Sequence, residues 1–276
     1  MTSTILILGG TGTIGAKVAA LLAEQGEAVR VGTRTPKQTA DIRFDFTDPA
    51  AFAPAFAGVD RVYLLSPAGY TDQAGLVGPA LDFAIARQVK IVFQTAMGVD
   101  ASDEIPFRQL ELKIERSGVP FVFIRPNWFS DNLGTYWLSQ VRAGELRLPA
   151  ADGRTSFVDA RDIAASAVAV LTSDRFDGKA YDLTGPEAVT YADVAAALGK
   201  TLGKPVAYTP IDDDTFVAEW AAAGMSEAYA RALSVILGYV RLNYSARVTD
   251  AVEKLTGREP RPFDAYIRDN AGHLAG

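Results

Sequence analysis

Gly9, Gly10, Gly12 and Gly15 fall within the run Gly9-Gly10-Thr11-Gly12-Thr13-Ile14-Gly15. Glycines at that spacing can cradle an anion. One permits a tight turn, a second lets backbone N–H groups approach a pyrophosphate, and a third lets a helix pack close to a strand. Arg34 follows about twenty residues past Gly15. At that interval a dinucleotide fold presents either an acid to the ribose 2′-OH of NAD or an Arg to the 2′-phosphate of NADP. Arg34, with Lys37 as a second cation, therefore predicts NADP(H) in preference to NAD(H). Asp45 and Phe46 are expected where the adenine edge would lie.

Other chemistries lack the residues they need. The chain has no cysteine, which excludes thiol nucleophiles, disulfides and Cys-ligated metals. Its single histidine, His273, reads as a tail residue, so His-based triads, His-ligated zinc and metal sites generally are not expected. A net charge of −6 argues against a nucleic-acid surface. The 276 residues, 49% hydrophobic and 22% charged, are ample for a large core. No basic leader precedes the first apolar run and no apolar stretch reaches membrane-spanning length. A cytoplasmic protein without membrane association is the expectation.

The glycines need a strand before them and a helix after. Thr4 to Leu8 is an apolar, β-branched run, and Val18, Leu21 and Leu22 continue at helical spacing over about 13–25 until Gly26. Apolar runs at 28–33, 42–44, 62–65, 91–93 and 121–124 read as further strands, with another ending at 181–185. Helices are expected from Asp48-Pro49, over about 71–88, and over about 105–117 up to Gly118. The stretch between Arg34 and the third strand is short for a parallel crossover, so its helix must be short or irregular. This alternation predicts an α/β fold: a Rossmann-type doubly wound parallel sheet.

After residue 128 the rhythm changes. A helix through Leu133, Trp137, Leu138 and Val141 is expected, then a short strand at 146–148, an apolar helix from Asp159 to Ser173, and a mostly helical remainder opening on Thr190-x-x-Asp193. The predicted organisation is a dinucleotide-binding domain of residues 1–128 plus about 154–185. A smaller, mostly helical C-terminal lobe of about 129–153 plus 186–276 would bind substrate.

Several of these stretches together resemble the NmrA-like atypical short-chain dehydrogenases/reductases. They are the glycine run, Thr33-Arg34, Glu111 upstream of Ser117-Gly118-Val119-Pro120, Ile124-Arg125-Pro126-Asn127-Trp128-Phe129, Phe157 to Ala164 and Tyr181 to Glu187. Within that family the chain is most similar to bacterial NAD(P)H:quinone, azo-dye and triphenylmethane-dye reductases. The resemblance implies that Ser66-Pro67 and Thr95-Ala96 border the nicotinamide, and that Pro126 to Phe129 line the junction of cofactor and substrate.

Ordinary short-chain dehydrogenases carry a Tyr-x-x-x-Lys pair, whereas the corresponding helix here reads Phe107-Arg108-Gln109-Leu110-Glu111. Phe107 cannot exchange a proton. Glu111 is a candidate acid or an orienting group, Asn127 a second catalytic candidate, and no catalytic residue is assigned outright. Phe107, Asn127, Trp128, Phe129 and Tyr136 are candidates for the substrate pocket, although lobe packing explains the aromatics equally well. The expected activity is NADPH-dependent hydride transfer to a small, easily reduced acceptor: a quinone, a dye or an iminium ion. The alternative is an NADP(H)-binding redox sensor without turnover. A small molecule is the expected partner, as monomer or homodimer.

Overall fold

The structure is a computed structural model and describes residues 3–276. The chain divides into two compact units. The first comprises the chain up to Pro126, Ala160–Leu183 and Ala251–Arg258; the second comprises Asn127–Asp159, Thr184–Asp250 and Glu259–Gly276.

The first unit is built on a parallel sheet. Its strands are β1 (Thr4–Leu8), β2 (Ala28–Thr33), β3 (Asp41–Arg43), β4 (Arg61–Leu65), β5 (Lys90–Gln94), β6 (Phe121–Pro126) and a seventh at Lys179–Leu183. They lie in the order β3-β2-β1-β4-β5-β6-seventh, each pair parallel. Because the strands are apolar on both faces, both faces must be covered. Leu6, Leu8, Val62, Leu64, Ile91 and Phe93 point into one core with Phe52, Phe56, Leu81, Leu110 and Ile114. The helix Ala160–Leu171 packs beside α1 (Gly15–Glu24) and against β4, β5 and β6. The strand order reverses between β1 and β4, which puts the sheet's switch point beside the glycine turn.

Local signals account for most boundaries. Asp48 caps a 3₁₀ turn at Pro49–Ala51, accepting from the Ala50 N–H, and the short helix α2 (Phe52–Ala55) follows. Asp72 caps α3 (Gln73–Ala86) by accepting from the Gly75 N–H at 2.7 Å. Helix α4 (Pro106–Ser117) starts on Pro106 and stops at Gly118, whose φ is +77°. No helix links β2 to β3. The Asp41 carboxylate accepts from the Lys37 and Gln38 N–H groups at 2.7 and 2.9 Å, closing an irregular loop where a crossover helix would need more chain.

The second unit contains two small sheets. Glu145–Leu148 pairs parallel with Ala207–Pro210, and Arg154–Thr155 pairs antiparallel with Val189–Thr190. Its core is aromatic-rich, with Trp137, Phe157, Tyr191, Phe216, Trp220, Phe263 and Tyr266 buried together. Thr190 and Asp193 form a reciprocal capping box on Tyr191–Leu202. The single helix expected through Leu133 and Val141 is instead a 3₁₀ turn, Ser130–Gly134, and a short helix, Leu138–Ala143. Thr135, at φ −131° and ψ −92°, interrupts them. Among the described residues, no helix is long and apolar enough to cross a membrane.

Candidate functional site

The glycine turn closes on itself. Gly9 sits at φ +81°, a conformation costly for any residue with a Cβ, and its carbonyl accepts the Gly12 N–H at 3.0 Å. Gly10 and Gly15 are required by packing. A Cβ on Gly10 would meet Val31 at 2.5 Å, and one on Gly15 would meet the Gly9 carbonyl oxygen at 2.3 Å. Gly12 differs: a Cβ there would have only the Gly9 oxygen nearby, at 3.4 Å, so its outer side is open. Thr11, Gly12 and Thr13 are exposed, and no side chain caps α1 at Ile14. The bare face of Gly12 thus lies just before a helix start that no side chain caps, an arrangement that fits a pyrophosphate.

Parallel strands carry the remaining cofactor candidates to one edge of the sheet, beyond the strand C-termini. Arg34 follows β2, Asp45 and Phe46 follow β3, Ser66 and Pro67 follow β4, and Thr95 and Ala96 follow β5. Arg34 and Lys37 are exposed. The Asp45 carboxyl is held below its ordinary value, chiefly by the backbone N–H and hydroxyl of Thr47, with Arg34 and Arg43 adding their positive fields. Arg43, which the sequence reading passed over, is thus a second cation acting on Asp45. Phe46 packs edge-on to Phe44 at 5.0 Å.

Thr95 is buried, and its hydroxyl donates to Glu111 Oε1 at 2.8 Å. Glu111 itself is wholly enclosed. Arg125 donates from Nε to Oε1 at 3.0 Å and from Nη2 to Oε2 at 2.6 Å, and Arg108 adds Nη1 to Oε2 at 3.1 Å. Arg125 also reaches Asp100 Oδ2 at 2.6 Å, and Arg108 reaches Glu115 at 2.9 Å. Burial opposes the charge on Arg125, but the bonds to Glu111 and the negative fields of Glu111, Asp100 and Asp182 together outweigh it and its pKa is raised. A sequence signal for this cluster existed. Phe107, Leu110, Glu111 and Ile114 occupy one helical stripe, so Glu111 lies on the buried face, and Arg125 ends an apolar strand. Buried opposite charges on neighbouring elements have to pair. Phe107 is half-buried, edge-on to Phe93 at 6.0 Å, and Lys113 pairs with Asp82.

In the second unit the Asn127 amide nitrogen donates to Ser156 Oγ and the Ser245 carbonyl, both at 2.8 Å, with the Ser156 carbonyl at 3.3 Å. Those bonds commit its N–H groups to holding the backbone. Trp128 stacks on Trp137 at 5.9 Å and packs on the aromatic core, and Phe129 bridges to Val158. Tyr136 is 41% exposed. Its phenol is pushed up by partial burial and by a hydrogen bond with Tyr229, a partner absent from the sequence reading. His273 is tied in rather than loose: its Nε2 lies 3.0 Å from the Gly134 carbonyl.

The NmrA-like family model matches residues 1–267. An NAD(P)H azoreductase from Xenophilus azovorans is 32% identical over 281 residues, covering 97% of this chain and 98% of that protein. A (4-alkanoyl-5-oxo-2,5-dihydrofuran-3-yl)methyl phosphate reductase from Streptomyces griseus is 32% identical, covering 98% of this chain and 99% of that one. Among solved structures, the NADPH complex of the quinone oxidoreductase QOR2 from Escherichia coli has a TM-score of 0.86 at 24% identity. It covers 99% of this chain and 100% of its own, a likeness of fold.

Proposed function

Because the chain belongs to the NmrA-like family, we propose that it is an NADPH-dependent reductase passing hydride to a small, easily reduced acceptor of quinone, dye or iminium type. The observation that carries this reading is the open face of Gly12 beneath the uncapped start of α1, on the switch-point side of a parallel sheet. The reductase names of the relatives support turnover over a sensing role without turnover. In this reading residues Gly9 to Gly15 hold the pyrophosphate, Arg34 and Lys37 face the 2′-phosphate, and Asp45 and Phe46 border the adenine. Ser66, Pro67 and the Thr95-Ala96 backbone border the nicotinamide. Tyr136, the exposed member of the aromatic set, is the side chain we assign to the acceptor.

When bound, NADPH supplies the hydride. The protein excludes water and orients the reacting atoms, which converts a collision between two molecules into a positioned transfer. At the two positions of the Tyr-x-x-x-Lys pair α4 carries Phe107, which has no exchangeable proton, and Glu111, whose two oxygens both accept from arginines. Acceptors that need no acid in the transfer step suit such a site. A quinone becomes a stabilised hydroquinone monoanion that takes one proton from solvent, and a cationic dye or iminium is neutralised by the hydride alone.

Stopped-flow oxidation of bound NADPH by a quinone, a triphenylmethane dye and a cyclic iminium tests the proposal. Rapid single-turnover oxidation by at least one of them is expected. Tight NADPH binding with no oxidation by any would favour the sensor.

A further inference from the structure

We propose that Glu111 is a positioning residue: its clasp on Arg125 and Thr95 fixes the ends of β5 and β6 so that the Ala96 edge meets the nicotinamide in one geometry. This rests on the cofactor placement proposed above.

The Tyr-x-x-x-Lys register puts Glu111 four residues past Phe107, where the pair would have its lysine. The lysine of that pair holds the ribose, whereas this carboxylate is buried among the protein's own side chains. Its side chain is 0% exposed and accepts from four donors on three residues, Thr95, Arg108 and Arg125. Both oxygens are thus occupied by bonds from the protein's own side chains. What it does is mechanical. Thr95 directly follows β5, Arg125 is the penultimate residue of β6, and Asp100, the second partner of Arg125, lies in the 3₁₀ turn after β5. Glu111 thus joins α4 to two strand ends at once.

The backbone completes the fastening. The Thr95 N–H donates to the Ile124 carbonyl and the Met97 N–H to the Pro126 carbonyl, both at 3.0 Å. Ala96 lies between those two anchored amides and is itself exposed. An exposed residue flanked by two anchored amides can present a fixed wall, and small errors in such a wall are costly. A displacement on the order of 1 Å can lower a transfer rate by about a hundredfold.

The test compares the parent with Glu111→Gln, Thr95→Val and the double variant. Each is measured for NADPH affinity, for single-turnover oxidation by a quinone per folded molecule, and for the fluorescence anisotropy of the bound reduced nicotinamide. NADPH affinity is expected within about threefold of the parent, because pyrophosphate and 2′-phosphate contacts dominate it. Hydride transfer in Glu111→Gln should fall by about 10- to 100-fold, equally from pH 6 to 9, with reduced anisotropy. Thr95→Val should show a smaller loss, and the double variant should be no worse than Glu111→Gln, since both act through one clasp. If Glu111→Gln fails to fold, Thr95→Val decides alone. Folded variants with parental rate and anisotropy would reduce Glu111 to a core filler, and a loss confined to one side of a pH midpoint would make it an acid; either overturns the proposal. A parent that binds NADPH but reduces nothing would sink the turnover reading alone, while the anisotropy comparison still decides on Glu111. A parent that does not bind NADPH would end both.

Discussion

The carbonyl oxygen of Gly9 occupies the place a side chain on Gly15 would need, 2.3 Å from where its Cβ would stand. Gly15 is therefore fixed by the fold, whereas Gly12 has open space beside it and is the glycine proposed to face the pyrophosphate. Gly15→Ala should destabilise the protein by about 1–3 kcal/mol through overpacking, seen as a lower Tm without any cofactor. Gly12→Val should melt close to the parent yet lose the stabilisation that NADPH confers. A Gly12→Val protein that still gains the parental Tm shift would show that the glycines only make a turn.

Arg34→Ala should weaken NADPH by roughly 10- to 100-fold, because a hydrogen bond to a charged group contributes ~1.5–3 kcal/mol and 1.4 kcal/mol is about tenfold. NADH affinity should barely change. Calorimetric titration of both cofactors checks this, and equal affinities in the parent would contradict the 2′-phosphate role.

Hydride transfer should show no titrating enzyme group between about pH 6 and 9, where a tuned general acid would normally appear. Quinones, cationic dyes and iminium ions should react, and plain ketones hardly at all. Phe107→Tyr should add little, since Glu111 rather than a lysine lies one turn on. A rate that falls tenfold per pH unit would reveal an acid that the geometry of α4 does not provide.

The Asp213 carboxyl is held below its ordinary value, first by hydrogen bonds from Arg241, with Ser234 assisting and partial burial opposing. Both Arg241 bonds are 2.9 Å long. A depressed carboxyl stabilises the folded state above its unfolded pKa of about 3.9 and loses that contribution as pH falls through the folded value. Asp213→Asn should therefore melt lower than the parent at pH 5 to 7, with the gap closing below about pH 4. A gap as wide at pH 3 as at pH 7 would assign the effect to packing.

The sheet was legible because its strands are short apolar runs bounded by residues such as Asp48, Asp72, Pro106 and Gly118 that start or stop helical segments, signals that act locally. The glycine turn was legible for the same reason: Gly9 to Gly15 lie together in sequence. The break at Thr135 was not, because Leu133, Trp137 and Val141 keep a helical spacing that the aromatic core satisfies with two shorter pieces. The partners of Glu111 were missed for a different reason. Arg125 and Thr95 lie 14 and 16 residues away along the chain, and only the parallel register of β5 and β6 brings them together. Asn127 and Thr95 illustrate the limit from the other side. The family resemblance placed them beside cofactor and substrate, and it carried no sign that their side chains also bond the protein itself.

The interleaving of the two units along the chain bears on how the protein is made. Synthesis runs from the N-terminus, and segments fold as they emerge. A nascent chain stalled after Pro126 would carry six strands and the whole glycine turn, but not the helix Ala160–Leu171 that covers one face of β4, β5 and β6. Even with that helix made, its neighbour Ala251–Thr256 waits until the second unit is almost entirely translated. The first unit is thus the first begun and among the last to be sealed, and a half-length product would expose an apolar sheet face for chaperones or proteases to find.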